Sequence, residues 1–246
     1  MNIYFSLKTY GALEIPLQYN HLLQAALYNV IDAELAAFLH DGGYISGSRT
    51  FKLFAFSRLM GRFQINKLKS TIAFTEGITL VVSSPVERFC QSIANGLLTK
   101  GQLKIGSADA EVEKVAVRQF EVAEERIVMR ALSPIVVYST LLRPDGRKYT
   151  CYFQPGDPDY DSLIGNNLRN KYRALFGQEA PSGEVKVRRL GRGDMRLVNY
   201  KDTVIKGYTG KIVATGPKEL LQMAVDAGIG SKNSQGFGCM EVIEGR

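Results

Sequence analysis

The chain has 246 residues, enough for two domains of ordinary size or one large one, and 45% hydrophobic with 22% charged residues describes a globular protein with ample core material. No apolar run approaches the ~20 residues that cross a bilayer, so no membrane partner is expected. Three isolated cysteines (Cys90, Cys151, Cys239) exclude a disulfide framework and a cysteine-based zinc site, and two histidines are too few for a histidine-rich metal site.

The N-terminus, Met1 to Lys8, has no basic segment followed by an apolar run and a small-residue cleavage site, so the expected compartment is the cytoplasm. Asn2 to Thr9 alternates Ile3, Phe5 and Leu7 with polar neighbours, which predicts a strand. After Pro16 comes a helix with Leu22, Leu23, Ala26, Leu27, Val30 and Ile31 toward the core. His21, Gln24 and Tyr28 fall on a second stripe at spacings of three and four. Ala33 to Leu39 is a second, shorter helix, ended at His40-Asp-Gly-Gly. Tyr44 to Thr50 reads as a glycine- and serine-rich loop carrying Arg49, and Phe51 to Leu59 as a strand with Lys52 at its start.

A strand through Gly77 to Ser83 precedes a helix opened by Ser84-Pro85, a serine cap with proline in the first turn. Strands near Gln102 to Ile105 and Glu111 to Phe120 close the first half. Strand, helices, strands, helix, strand is the split βαβ, ferredoxin-like order.

The second half repeats it after the acidic connector Ala123-Glu-Glu125. Ile127 to Ser139 is strand-like, and Pro144-Asp-Gly146 is a turn into Lys148 to Phe153. Asp157 to Phe176 is helical, strands fill Glu184 to Leu190 and Met195 to Ala214, and a helix spans Pro217 to Ala227. The expected fold is α+β, two tandem ferredoxin-like domains over residues 1–124 and 125–246.

Between that last helix and a strand predicted over Gly236 to Ile243 lies the most distinctive stretch. Gly228 and Gly230 bracket Ile229, Gly236 and Gly238 bracket Phe237, and Ser231 to Gln235 lie between the pairs. Glycines permit positive φ and close backbone approach, so exposed N–H groups with Lys232 could cradle phosphate. A dinucleotide fingerprint or P-loop follows a strand and opens a helix; here the helix comes first. The competing reading is a turn that only lets two layers pack.

Just upstream, Glu184 to Lys211 holds eight Lys/Arg against three acids, which is five of the seven net positive charges of the chain. Such a stripe, including Arg188 and Arg192, is the footprint of a polyanionic partner, although basic residues also protect an exposed sheet edge.

Five separated stretches resemble one family. Gly228-Ile-Gly, five residues, then Gly-Phe-Gly238 looks like the signature of the CRISPR repeat-processing endoribonucleases of the repeat-associated RNA-binding (RAMP) superfamily. Tyr19 to Tyr28 and Phe38-Leu-His40 are similar to that family's first helical region. Phe51 to Ser57 resembles its following strand, and Leu132-Ser-Pro-Ile135 the opening of its second domain. The resemblance implies metal-independent cleavage of the repeat in precursor CRISPR RNA. The ribose 2′-hydroxyl would attack the adjacent phosphate and leave 2′,3′-cyclic phosphate and 5′-hydroxyl ends. It places the catalytic residues on Tyr28, His40 and Lys52. For such a function the basic strand, through Arg188 and Arg192, and the glycine loop, through Lys232 and its four glycines, would hold the RNA. Implied partners are precursor and mature guide RNA and other interference-complex subunits, with the chain a monomer or a homodimer.

The residue chemistry agrees. His40 is the natural proton-transfer group near neutral pH, Lys52 can stabilise phosphorane charge, and Tyr28 suits positioning better than basicity given its reference pKa of ~10. Each has a structural competitor: a helix-terminal cation for His40, a core-edge aromatic for Tyr28, a surface lysine for Lys52. His21 is the second available histidine and Arg49 an alternative source of charge. Tyr200 and Tyr208 are stacking candidates or buried aromatics. Two other functions compete, a repeat-RNA-binding subunit without cleavage and a nucleotide-utilising enzyme, and the latter lacks paired carboxylates near the glycine loop.

Overall fold

In the computed structural model, which describes residues 1–243, the alternation of Ile3, Phe5 and Leu7 buries all three along strand β1 (Asn2–Lys8). The last three residues of the expected second unit lie outside the described residues. Strand β2 (Leu13–Pro16) leads into α1 (Asn20–Val30), and α2 (Ala33–Asp41) follows, capped by Asp32, whose Oδ1 accepts from the Leu35 N–H at 3.1 Å. Next come β3 (Tyr44–Ser46), β4 (Arg49–Phe51), β5 (Ala55–Phe56), β6 (Phe63–Asn66), β7 (Thr71–Phe74) and β8 (Ile78–Ser83). Helix α3 (Glu87–Lys100), β9 (Gln102–Ile105) and β10 (Ala108–Arg118) end this unit.

Its main sheet runs β5-β8-β1-β10-β9, antiparallel at every step. Strands β5, β8, β1 and β10 stand in the order of a ferredoxin-like unit. Leu23 and Leu27 of α1 and Phe89, Ile93 and Leu97 of α3 pack with Phe5, Leu80 and Val82 in one core.

The second unit contains β11 (Arg126–Ala131), β12 (Val137–Leu142), β13 (Lys148–Phe153), α4 (Tyr160–Phe176) and β14 (Lys186–Leu190). It continues through β15 (Met195–Tyr200), β16 (Thr203–Tyr208), β17 (Lys211–Thr215), α5 (Lys218–Asp226) and β18 (Met240–Val242). The sheet order β14-β17-β11-β18 is again ferredoxin-like, with α4 and α5 covering it through Ile164, Leu168, Leu220 and Ala224. Two hairpins, β12-β13 and β15-β16, project from this framework as insertions. The fold is therefore two tandem ferredoxin-like units.

Several local expectations need correction. The loop expected at Tyr44 to Thr50 is the hairpin β3-β4, paired Tyr44 to Phe51 and Ser46 to Arg49 around Gly47 at φ +58°. The strand expected over Phe51 to Leu59 shrinks to Ala55–Phe56 because Leu53 turns left-handed, at φ +52°. Leu53 inserts into the second core while Phe54 and Phe56 pack in the first, so this segment crosses between the two units. The strand expected over Ile127 to Ser139 breaks at Leu132-Ser-Pro134 into β11 and β12. The last strand begins at Met240 rather than Gly236, because Asn233–Gln235 form a 3₁₀ turn and both Gly236 and Gly238 are left-handed.

Candidate active site

The polar stripe of α1 faces the glycine loop. Asn20 and Gln24 are four residues apart and lie on one helix face. Asn20 Nδ2 donates to the carbonyl oxygens of Gln235 at 3.0 Å and Gly236 at 3.3 Å, and Gln24 Nε2 to Ser234 at 2.7 Å. Arg58 donates in turn to Asn20 Oδ1 at 3.0 Å, which orients the amide, and its guanidinium lies 4.4 Å from the Tyr19 ring centroid. The Tyr200 hydroxyl donates to Gln24 Oε1. Thus α1 of the first unit, the glycine loop and the β15-β16 hairpin meet on one stripe.

The four loop glycines are buried and left-handed. A Cβ on Gly230 would stand 2.4 Å from the Val136 carbonyl oxygen, and one on Gly238 2.0 Å from that of Ile229. The loop N–H groups largely serve the protein: Ile229 donates to Gly238, Ser231 to Val136 and Gly238 to Pro134, at 2.9, 2.8 and 2.9 Å. Asn233 Nδ2 ties the Ile229 and Phe237 carbonyls across the loop. The expected row of exposed amides is therefore corrected. The glycines permit packing of two layers, and only Ser231, Lys232, Ser234 and Gln235 reach partial exposure.

Below the loop sits Lys171 of α4, a residue the sequence reading passed over. Its Nζ donates to the carbonyls of Gly228 at 2.6 Å and Gly230 at 3.1 Å, and burial pulls its pKa down to about 7. The signal was present: Lys171 continues the buried stripe of Tyr160, Ile164 and Leu168, where a lysine is out of place unless it has partners.

Of the three expected catalytic residues, the hairpin β3-β4 brings two together. It returns the chain so that Lys52 Nζ donates to the main-chain carbonyls of His40 at 3.2 Å and Gly42 at 2.8 Å. These are orphan acceptors at the C-terminal end of α2, where a cation is favoured. Burial holds the Lys52 ammonium below its usual range, opposed by the Asp41 carboxylate. The His40 ring projects into solvent, 83% exposed, with Nδ1 3.0 Å from Asp41 Oδ1. Tyr28 connects through packing, its ring edge-on to Phe54 at 5.9 Å. Burial, with nearby Tyr200 adding to it, pushes the Tyr28 phenol up to about 12. His21 lies edge-on to Tyr200, at 6.4 Å.

A cleft of about 410 Å³ opens between the units beside Lys52, lined also by Arg49, Tyr138, Lys171, Lys232 and Ser234. Lys232 Nζ stands 5.3 Å from the Tyr138 ring centroid, and burial lowers its pKa. The basic stripe lies elsewhere on the second unit, and part of it is neutralised. Lys186 pairs with Glu184, Arg188 with Asp161 and Arg196 with Asp194, at 3.2, 3.1 and 2.9 Å. Arg188 lies on the edge strand β14, whereas Arg192 is exposed with no ion pair among the described residues. Tyr200 and Tyr208 are both buried at 8% exposure, which supports their packing role. No cluster of three or more His, Cys, Asp or Glu that could hold a metal occurs among the described residues, and no helix is long and apolar enough to cross a membrane.

Two family models match the chain. One described as CRISPR-associated protein Cas6, N-terminal, covers residues 14–116, and one described as CRISPR associated protein Cas6, C-terminal, covers residues 111–242. The CRISPR-associated endoribonuclease Cas6 1 of Methanocaldococcus jannaschii is 26% identical over 245 residues, 99% of this chain and 93% of its own length. The CRISPR-associated endoribonuclease Cas6 of Pyrococcus furiosus is 26% identical over 242 residues, 94% of this chain and 84% of its own. A solved structure from work on a Cas6-related gene of Pyrococcus furiosus has the same fold, with a TM-score of 0.85 at 21% identity over 100% of this chain and 99% of that one. Matched along both of its ferredoxin-like units, and over more than half its length by the C-terminal model alone, the chain belongs to the CRISPR-associated Cas6 family.

Proposed function

We propose that this chain is a metal-independent endoribonuclease that cuts the repeat of precursor CRISPR RNA by attack of a ribose 2′-hydroxyl on the adjacent phosphate. The observation that carries the reading is the junction of His40 and Lys52 at the end of α2, beside a cationic cleft. Relatives named as CRISPR-associated endoribonucleases, similar along nearly the whole chain, support it. On this reading residues 1–124 carry the chemistry and residues 125–246 help hold the RNA, with Arg188, Arg192 and Lys232 contacting its backbone. The loop glycines act one step removed, by letting the loop pack so that Lys232 is presented.

Cleavage forms a bond from the 2′-oxygen to phosphorus and breaks the bond from phosphorus to the 5′-oxygen, giving 2′,3′-cyclic phosphate and 5′-hydroxyl ends. His40 moves the proton. With Nδ1–H donating to Asp41, Nε2 is left as the acceptor facing solvent. Lys52 supplies charge to the phosphorane, a contribution of typically about 3 kcal/mol for one well-placed donor. Tyr28, held as a neutral phenol, donates a hydrogen bond and positions the 2′-hydroxyl.

The test is a gel assay on end-labelled repeat RNA in excess EDTA, with a second substrate carrying one 2′-deoxy nucleotide just upstream of the cut. A discrete cut in EDTA that the deoxy substitution abolishes is the expected result. Cleavage only after magnesium is restored, or undiminished on the deoxy substrate, overturns the mechanism. Tight binding without a cut identifies a repeat-RNA-binding subunit instead.

A further inference from the structure

The interdomain cleft carries Arg49, Lys52 and Lys232 on its sides and Lys171 in its floor, and none of its lining residues is Asp or Glu. Like charges gathered in about 410 Å³, partly removed from water, disfavour one another's charged forms. Lys52, Lys232 and Lys171 all lie below the usual lysine range, and burial is what lowers each of them. An ammonium has three donors; Lys171 commits two to Gly228 and Gly230, and no third acceptor appears among the described residues. Asn167, one helical turn away on α4, lines the same cleft at 8% exposure, and its Oδ1 has no hydrogen-bond partner. A buried polar group without a partner is rare enough to need a cause. That oxygen is an acceptor and calls for a donor; what lacks an anion is the set of four cations, with no acid among the lining residues.

We propose that this cleft is a phosphate subsite, which takes one backbone phosphodiester of the RNA, other than the scissile one, against Lys171 and Lys232. For its ligand the inference rests on the proposed function. It adds a site that His40 does not line and a residue, Lys171, that ties RNA to the loop. The ammonium that fixes the Gly228 and Gly230 carbonyls would offer its remaining N–H to the phosphate, so loop geometry and RNA occupancy share one group. A bound phosphate also provides the missing counter-charge and favours protonated Lys171, so binding above about pH 7 takes up a proton. The charged or titratable groups that face Lys171 across the cleft are Arg49, Lys52, Lys232 and Tyr138. Three of them are cations and none is an acid, so burial opposes protonation with no counter-charge until the anion arrives.

Repeat RNA with single methylphosphonate linkages, each removing one backbone charge, tests this on the full chain. Dissociation constants are measured for the wild type, Lys171→Met and Lys232→Ala. At one linkage away from the cut, neutralisation should weaken wild-type binding about tenfold, and that loss should largely vanish in both variants. Calorimetry at pH 8 in two buffers of different ionisation enthalpy should show proton uptake that Lys171→Met reduces. Tight RNA binding with no linkage coupled to either variant overturns the subsite and leaves the proposed function standing. A wild-type protein that binds no repeat RNA overturns both. Lys232 is on the partly exposed side of the cleft, so its variant reads the site even where Lys171→Met fails to fold. Coupling to Lys232 without coupling to a folded Lys171→Met, or an unchanged proton uptake, removes Lys171 from the subsite.

Discussion

Lys52 donates from Nζ to the main-chain carbonyl of His40 at 3.2 Å, although eleven residues separate the two in the chain. The ammonium thereby fixes the helix end from which the imidazole projects, and the group proposed to move the proton and the group proposed to supply charge become one unit. Lys52→Ala should then lower cleavage about 100-fold and also loosen the α2 terminus. Lys52→Arg should restore part of the rate, since a guanidinium can reach both carbonyls. Faster amide exchange at Gly42 and Gly43 in Lys52→Ala, measured by hydrogen–deuterium exchange, is the readout specific to the anchoring role. Exchange unchanged from wild type would leave Lys52 with an electrostatic role alone.

His40→Ala should slow cleavage by about 100-fold or more while leaving RNA affinity within twofold. The ring is exposed and, among the described residues, its only polar contact is with the neighbouring Asp41, so its removal leaves no cavity and breaks no long-range polar contact there. Single-turnover rates and filter-binding affinities separate the two quantities. A wild-type rate in this variant would take His40 out of the chemistry and turn attention to His21.

Tyr28→Phe should slow cleavage about tenfold, the worth of one positioning hydrogen bond. Because burial pushes the phenol up to about 12, it remains protonated throughout the range where RNA can be handled. The ratio of wild-type to variant rate should stay constant from pH 6 to pH 10. A ratio that changes through pH 9 would mean the phenol ionises in the working range and acts as a base.

The ferredoxin-like pattern was legible because β1, α3 and α4 carry their apolar residues at the spacing their geometry demands. Strand β6 was not, since all four of its residues are exposed and burial imposes no alternation on them. The β3-β4 hairpin was missed because none of its residues is fully buried, Tyr44 and Phe51 packing only partly against the cores, so no alternation marks it. Tyr28, His40 and Lys52 were reached through motif resemblance. The role of the glycines stayed open between two readings for a physical reason: positive φ serves close packing as readily as anion binding, and only the neighbours of each glycine distinguish the two.

Those neighbours make a stability prediction. Gly238→Ala forces a left-handed alanine at φ +64° and places its Cβ 2.0 Å from the Ile229 carbonyl oxygen. It should cost about 2 kcal/mol or more, lowering Tm by roughly 5 °C or more for a chain of this size. Gly146→Ala is the control, at φ +79° with nothing within 4 Å, and should cost only about 1–2 kcal/mol of backbone strain. Gly236→Val belongs with Gly238→Ala, since its Cβ would meet Phe56 at 2.6 Å and Asn20 at 2.7 Å. Its effect on RNA binding should follow from lost packing. Thermal melts in which all three variants match would show that the loop yields without strain.

Lys171 makes stability rise with pH, the same direction as in acid denaturation but in a neutral-to-alkaline window. Its pKa falls to about 7 in the folded chain from an ordinary 10.5, so between these values the unfolded state binds more protons. Stability then rises with pH across that window, because raising pH penalises the state that holds the extra proton. Below about pH 7 both states are protonated and the cost of burying the charge is present in full; it is relieved progressively toward pH 10. Lys171→Met removes the linkage. The difference in Tm between wild type and Lys171→Met should therefore shift in favour of the wild type on going from pH 7 to pH 9.5. A constant difference across that range would mean that Lys171 keeps its proton in the folded chain, with the Gly228 and Gly230 carbonyls stabilising the ammonium enough to offset its burial.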